Sequence, residues 1–188
     1  SYVNLEYEKA VLYYDSVLNL KSTYRPRSLL NKGATLSTIH QYSEAIKCYN
    51  EYLSLYPNNL EAHYNRGRTF NSLNKKDSAI KDFTKCIELD SSFKKAYHER
   101  FNTYMSHNNY PKALNEIQRL LSMDSINSIL LSDIGRVYML LNEPTEAMAY
   151  FNKSVYYAPK TKKNIGIFMN FDQFPSFFDQ FRSILIQF

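Results

Sequence analysis

One period governs this chain. Gly33 and Gly67 are 34 residues apart, and Gly135 stands twice that distance beyond Gly67. Ala45, Ala79, Ala113 and Ala147 repeat the 34-residue step, and so does the column Tyr49, Phe83, Ile117, Phe151. A fixed spacing of this size, with two short helices and a tight turn inside each unit, marks a stacked repeat array. Each unit of such an array packs only on its neighbours, so the usual limit on a single hydrophobic core does not bind.

The helices follow from the same columns. Ala45, Ile46, Tyr49, Tyr52 and Leu53 stand at offsets that share one helical face. The offsets return from Ala79, from Ala113 and from Ala147, and a further copy comprises Ala10, Val11, Tyr14, Val17 and Leu18. First helices are expected near 27–39, 61–73, 95–107 and 129–141, and second helices near 43–55, 77–89, 111–123 and 145–157. Between them His40, Asn74, Asn108 and Asn142 occupy one turn column. Asn enters the left-handed region most readily after Gly, which suits the end of a helix. Pro111 and Pro144 come just after, where a first turn tolerates a missing N–H. The copy near residues 5–20 has no first helix before it, so its apolar face needs a cover from elsewhere. The chain opens on Ser1 without an initiator Met and reads as a segment of something longer.

These columns resemble the tetratricopeptide repeat family: a small residue on the first helix, alanine then an aromatic four later on the second, and a closing proline at Pro57 and Pro159. The resemblance covers 26–159 as four units, 26–59, 60–93, 94–127 and 128–159, preceded by a lone second helix within 1–25. It implies an all-α fold, a right-handed superhelical stack of antiparallel helix pairs. Two departures stand out. Leu29, His63, Tyr97 and Leu131 replace the family's frequent Trp, and Phe101 stands in the glycine column. The unit with Phe101 is also the one with Ile117 in place of an aromatic, a pairing expected to conserve volume.

Residues 160–188 leave the period. They hold seven of the twelve Phe, among them Phe177, Phe181 and Phe188, and Ser176 with Asp179 has the form of a capping box. This segment is expected to cap the stack, with Phe177, Phe181 and Phe188 as a candidate interface for a partner or a second copy.

Composition narrows the functional classes. The net charge of +5 comes from scattered lysines rather than a basic arm, so nucleic acid is not expected as a partner. No run is long and apolar enough to span a membrane. Cys48 and Cys86 lie on apolar faces without a CxxC or a Cys/His cluster, which reads as two buried thiols in a reducing, intracellular and cytoplasmic setting. No metal-ligand spacing, phosphate-binding loop or nucleophile motif is present. The expectation is a non-enzymatic protein without cofactor or metal.

The resemblance places function on the first helices, which in this family line a concave peptide groove. The residues expected there are Asn31, Asn65, Arg68, Lys95, His98, Asn102 and Arg136, with Leu30, Ala34, Tyr64, Met105 and Ser132 beside them. Asn31, Asn65, Glu99 and Asp133 form a column that is polar in all four units. An Asn amide donates and accepts at once, so it suits a ligand backbone. Glu61, Glu99 and Asp133 make the groove mixed in charge. Chaperone-binding relatives hold a terminal carboxylate with a five-residue clamp; Asn65 and Lys95 match it, whereas Leu30, Ala34 and Glu99 do not. The reading is therefore a protein-interaction scaffold that holds a peptide segment. The alternatives are the substrate-recruiting arm of a larger enzyme and a chaperone-associated cochaperone. RNA recognition by helical hairpins fits less well, because no regular pair of base-selecting residues recurs.

Overall fold

A computed structural model describes residues 2–19, 25–124 and 126–158. They form helices α1 (Tyr2–Asn19), α2 (Arg25–Thr38), α3 (Tyr42–Leu55), α4 (Leu60–Ser72), α5 (Lys76–Leu89), α6 (Lys94–Ser106), α7 (Tyr110–Met123), α8 (Ser128–Leu140) and α9 (Pro144–Tyr157), with no strand among the described residues. The expected helix pairs are present, and their ends lie within two residues of the expected ones. The chain divides into two compact units between Asn109 and Tyr110.

Close approach of paired helices explains the glycine column. A methyl group at Gly33 would lie 2.8 Å from the ring of Tyr49, and one at Gly67 would lie 2.7 Å from the ring of Phe83. In the second unit the same construction puts a Gly135 methyl 2.6 Å from Phe151. Carbon atoms do not approach so closely, so each ring occupies the space a side chain would need. The paired alanines Ala45, Ala79 and Ala147 are fully buried, as is Ala113. Phe101, in the glycine column, is buried in the first unit and Ile117 is buried in the second.

The turns repeat as strictly as the core. His40, Asn74, Asn108 and Asn142 all have positive φ, between 53° and 65°. The amide after each reaches back five residues: Gln41 to Leu36, Lys75 to Phe70, Asn109 to Tyr104 and Glu143 to Tyr138, at 2.8–2.9 Å. Together with the shorter bonds from His40 to Ser37 and from Asn74 to Asn71, this is the left-handed helix ending that satisfies the last carbonyls. Pro144 then opens α9, and Pro111 is the second residue of α7. At the other loop Asn59 and Asn127, two periods apart, cap α4 and α8 with side-chain oxygens.

The column that lacks Trp is buried in every unit: Leu29, His63, Tyr97 and Leu131. Its two polar members tie the loop down. His63 Nε2 donates to the Pro57 carbonyl at 2.9 Å, and the Tyr97 hydroxyl donates to the Ser91 carbonyl at 3.2 Å. The thiol column does likewise, since Cys86 Sγ donates to the Leu60 carbonyl and Ser154 Oγ to the Ser128 carbonyl. Burial pushes the Cys86 thiol up to about 12, with the nearby charge of Asp82 acting in the same direction.

Helix α1 packs on the first pair through Val11 and Leu18. Its Ala10 and Tyr14 are only half-buried, whereas Ala45 and Tyr49 are fully buried. The face of α1 is thus only partly covered. The Phe-rich segment with Phe177, Phe181 and Phe188 lies outside the described residues.

Candidate functional site

Two polar systems hold the first unit together. In the first system a cation recurs at the period: Lys32, Arg66 and Arg100 each reach back to the preceding second helix. Lys32 pairs with Asp15, Arg66 donates to Asn50 Oδ1 at 2.6 Å, and Arg100 donates to Thr84 Oγ1 at 2.9 Å. Arg66 also grips Asp82 on α5 through Nε at 2.8 Å and a terminal nitrogen at 2.7 Å, while His63 Nδ1 lies 2.9 Å from the same carboxylate. Burial raises the Asp82 pKa, but the hydrogen bonds from Arg66 and His63 outweigh it and hold the carboxyl below its ordinary value. A planar guanidinium with two parallel bonds suits this buried position. These residues are structural.

In the second system the first helices α2, α4 and α6 are joined directly. Thr35, Thr69 and Thr103, one period apart, each donate to the carbonyl four residues earlier. Thr69 has only one proton, so it accepts from Ser37 at 3.1 Å. One repeat later the contact recurs: Asn71 Nδ2 donates to Thr103 Oγ1 at 2.8 Å. The Tyr49 ring is buried, and burial pushes its phenol up. A polar ladder therefore runs beneath the first helices.

Above that ladder lies an open groove of about 460 Å³. Its walls are Ala34, Ser37 and Thr38 of α2, His40 and Tyr42 at the turn, Tyr49, Asn65, Arg68, Asn71 and Ser72, and Glu99 of α6. The lining is polar and carries one cation and one carboxylate. Arg68 Nε lies 3.4 Å from Glu99 Oε1, and the Tyr64 hydroxyl donates to the same oxygen at 3.3 Å. The Arg68 guanidinium carbon stands 5.9 Å from the Tyr64 ring centre. Tyr64 also packs on Phe93 and Phe83 and is only half-buried; burial pushes its phenol up, and the charge of Glu99 adds to that.

Of the residues expected in a groove, the structure brings Asn65 and Arg68 together with Glu99. Asn31 is half-buried and not part of this lining. Lys95, His98 and Asn102 are exposed on α6 at helical spacing, outside the lining. Arg136 belongs to the second unit, where it pairs with Asp133 at 3.2 Å on α8. Leu30 and Ser132 are buried, which corrects their placement on a ligand face; Leu30 belongs to the apolar core of the first helix pair. Asn71, Ser37 and Tyr49 were not anticipated. The recurrence of Thr35, Thr69 and Thr103 and of Ser37 and Asn71 at 34 residues is the signal that could have found them.

No metal-competent group of His, Cys, Asp or Glu occurs among the described residues. None of the described helices is long and apolar enough to cross a membrane. Three family models, each described as tetratricopeptide repeat, match residues 26–59, 60–93 and 98–161. The chain belongs to the tetratricopeptide repeat family. As a tetratricopeptide repeat fold it is similar to the crystal structure of MamA protein, at 24% identity and a TM-score of 0.75 over 85% of this chain and 87% of that one. It is also similar to YrrB, a TPR protein with an unusual peptide-binding site, at 18% identity and a TM-score of 0.69, covering 82% of this chain and 79% of YrrB. The first TPR of Spaghetti (RPAP3), bound to the HSP90 peptide SRMEEVD, matches at 23% identity and a TM-score of 0.57 over 64% of this chain and 96% of that one. No curated protein matches the sequence. At these identities the similar structures bear on the tetratricopeptide fold alone.

Proposed function

We propose that the chain is a non-enzymatic interaction scaffold, and that it holds an extended segment of a partner protein in the groove on α2, α4 and α6. The observation that carries this reading is Asn65. Its side-chain amide lines the groove, half-buried, and meets no hydrogen-bond partner among the described residues. Nearby polar groups are engaged: Thr69 and Thr103 bond their own helices, and Asn71 bonds Thr103. An amide left open on a groove wall offers one donor and one acceptor to a passing backbone. A peptide-binding site in one tetratricopeptide protein of similar fold and a bound peptide in another support a protein or peptide partner here. A terminal-carboxylate clamp is poorly served by this surface, because Leu30 is buried, Ala34 has no donor, and Glu99 is acidic.

Affinity capture from cell extract with the parent and with Asn65→Ala, side by side, tests the reading. A captured protein should then bind the variant more weakly by about 1–3 kcal/mol, with an unchanged melting curve. Equal binding by parent and variant would remove the groove as the site.

A further inference from the structure

The contacts of Arg68 say what kind of segment the groove selects, given that the groove is the peptide site. Its Nε faces Glu99 and its guanidinium carbon stands over the Tyr64 ring. Both contacts come from within the unit and hold the group beside Glu99 and Tyr64. The side chain is nevertheless 60% exposed, and its two terminal nitrogens meet no partner among the described residues. Glu99 is in the opposite situation. It is 26% exposed, and one of its oxygens already faces both the Tyr64 hydroxyl and Arg68. The exposed part of the pair is therefore mainly the donor fork of Arg68 rather than the Glu99 carboxylate.

We infer that the groove selects an extended peptide with an aspartate or glutamate side chain, whose carboxylate is taken by the outward fork of Arg68. A planar fork with two N–H directions matches a carboxylate in a way that a lysine ammonium cannot. Asn65, Arg68 and Ser72 share one face of α4 by their spacing. Asn65 and Arg68 are separated by about 4.5 Å along the helix axis, little more than the roughly 3.4 Å step of an extended chain. The backbone unit held by Asn65 and the acidic side chain held by Arg68 thus belong to the same or adjacent ligand residues. The site requires an internal acidic residue and no chain terminus.

The probe is a displayed library of random peptides, flanked on both sides so that no free terminus is present, selected against the full chain. Selected binders should carry Asp or Glu at one fixed position. The parent should bind the matched Asn or Gln peptide about tenfold more weakly. Arg68→Lys, which keeps the charge and removes the fork, should lose most of that discrimination with an unchanged melting curve. Binders weakened by Asn65→Ala but lacking an acidic position would overturn the inference and leave the groove reading intact. So would full discrimination by Arg68→Lys. Binders indifferent to both substitutions, or a selection that yields none, would overturn the groove reading and the inference with it.

Discussion

Adding a methyl group at Gly67 sets two effects against each other. Within a helix Ala is favoured over Gly by about 1 kcal/mol. The new carbon would, however, lie 2.7 Å from the ring of Phe83, which is fully buried and has no room to retreat. Overpacking of this kind costs about 1–3 kcal/mol, so Gly67→Ala should destabilise the protein. Its cost should shrink in a Phe83→Leu background, and a double-mutant cycle by chemical denaturation reads that coupling. A stabilising Gly67→Ala in the parent would mean that the two helices are not in this register. Asp82 supplies a second residue-level prediction. Its folded pKa is depressed, so its contribution is present above the ordinary value of 3.8 and is lost as pH falls below it. The stability gap between the parent and Asp82→Asn should therefore narrow on acidification below that value; a gap that stays constant would show that the carboxylate is not held by Arg66 and His63. The two sites differed in how legible they were. Gly67 recurs at the period, whereas the Asp82 column reads Cys48, Asp82, Glu116, Tyr150 and offers no repeat to notice.

Helices end where the turn column dictates. Asn74 has a φ of 56° and precedes the amide of Lys75 that bonds the Phe70 carbonyl. Asn74→Ala should cost about 1–2 kcal/mol because a Cβ without a local polar group disfavours this conformation, while Asn74→Gly should be neutral or slightly stabilising. Thermal melts that rank the two the other way would contradict the left-handed ending. Turn chemistry was readable because Asn and Pro mark positions whose backbone demands are local. The helix starts were less so: α2 begins at Arg25 and α4 at Leu60, one or two residues before the expected starts. A capping residue such as Asn59 sets that boundary through a side-chain bond rather than through apolar periodicity.

Across the molecule, the 34-residue columns specified the helix pairs and the family, because every unit repeats the same packing problem. The groove was less legible. Its walls depend on contacts between successive first helices, Ser37 with Thr69 and Asn71 with Thr103, which couple residues 32 apart rather than 34. The family resemblance placed Asn65 and Arg68 on a helix that lines the groove, but it grouped them with Lys95, His98 and Asn102, which lie outside the lining. The most direct test is an NMR titration of the labelled chain with the bound segment of a captured partner, following the Asn side-chain amides and Arg Nε–H signals. Shifts should concentrate at Asn65, Arg68 and Asn71, with Lys95, His98 and Asn102 largely unmoved. Shifts confined to α1 or α9, with Asn65 and Arg68 silent, would contradict the placement of the binding site in this groove.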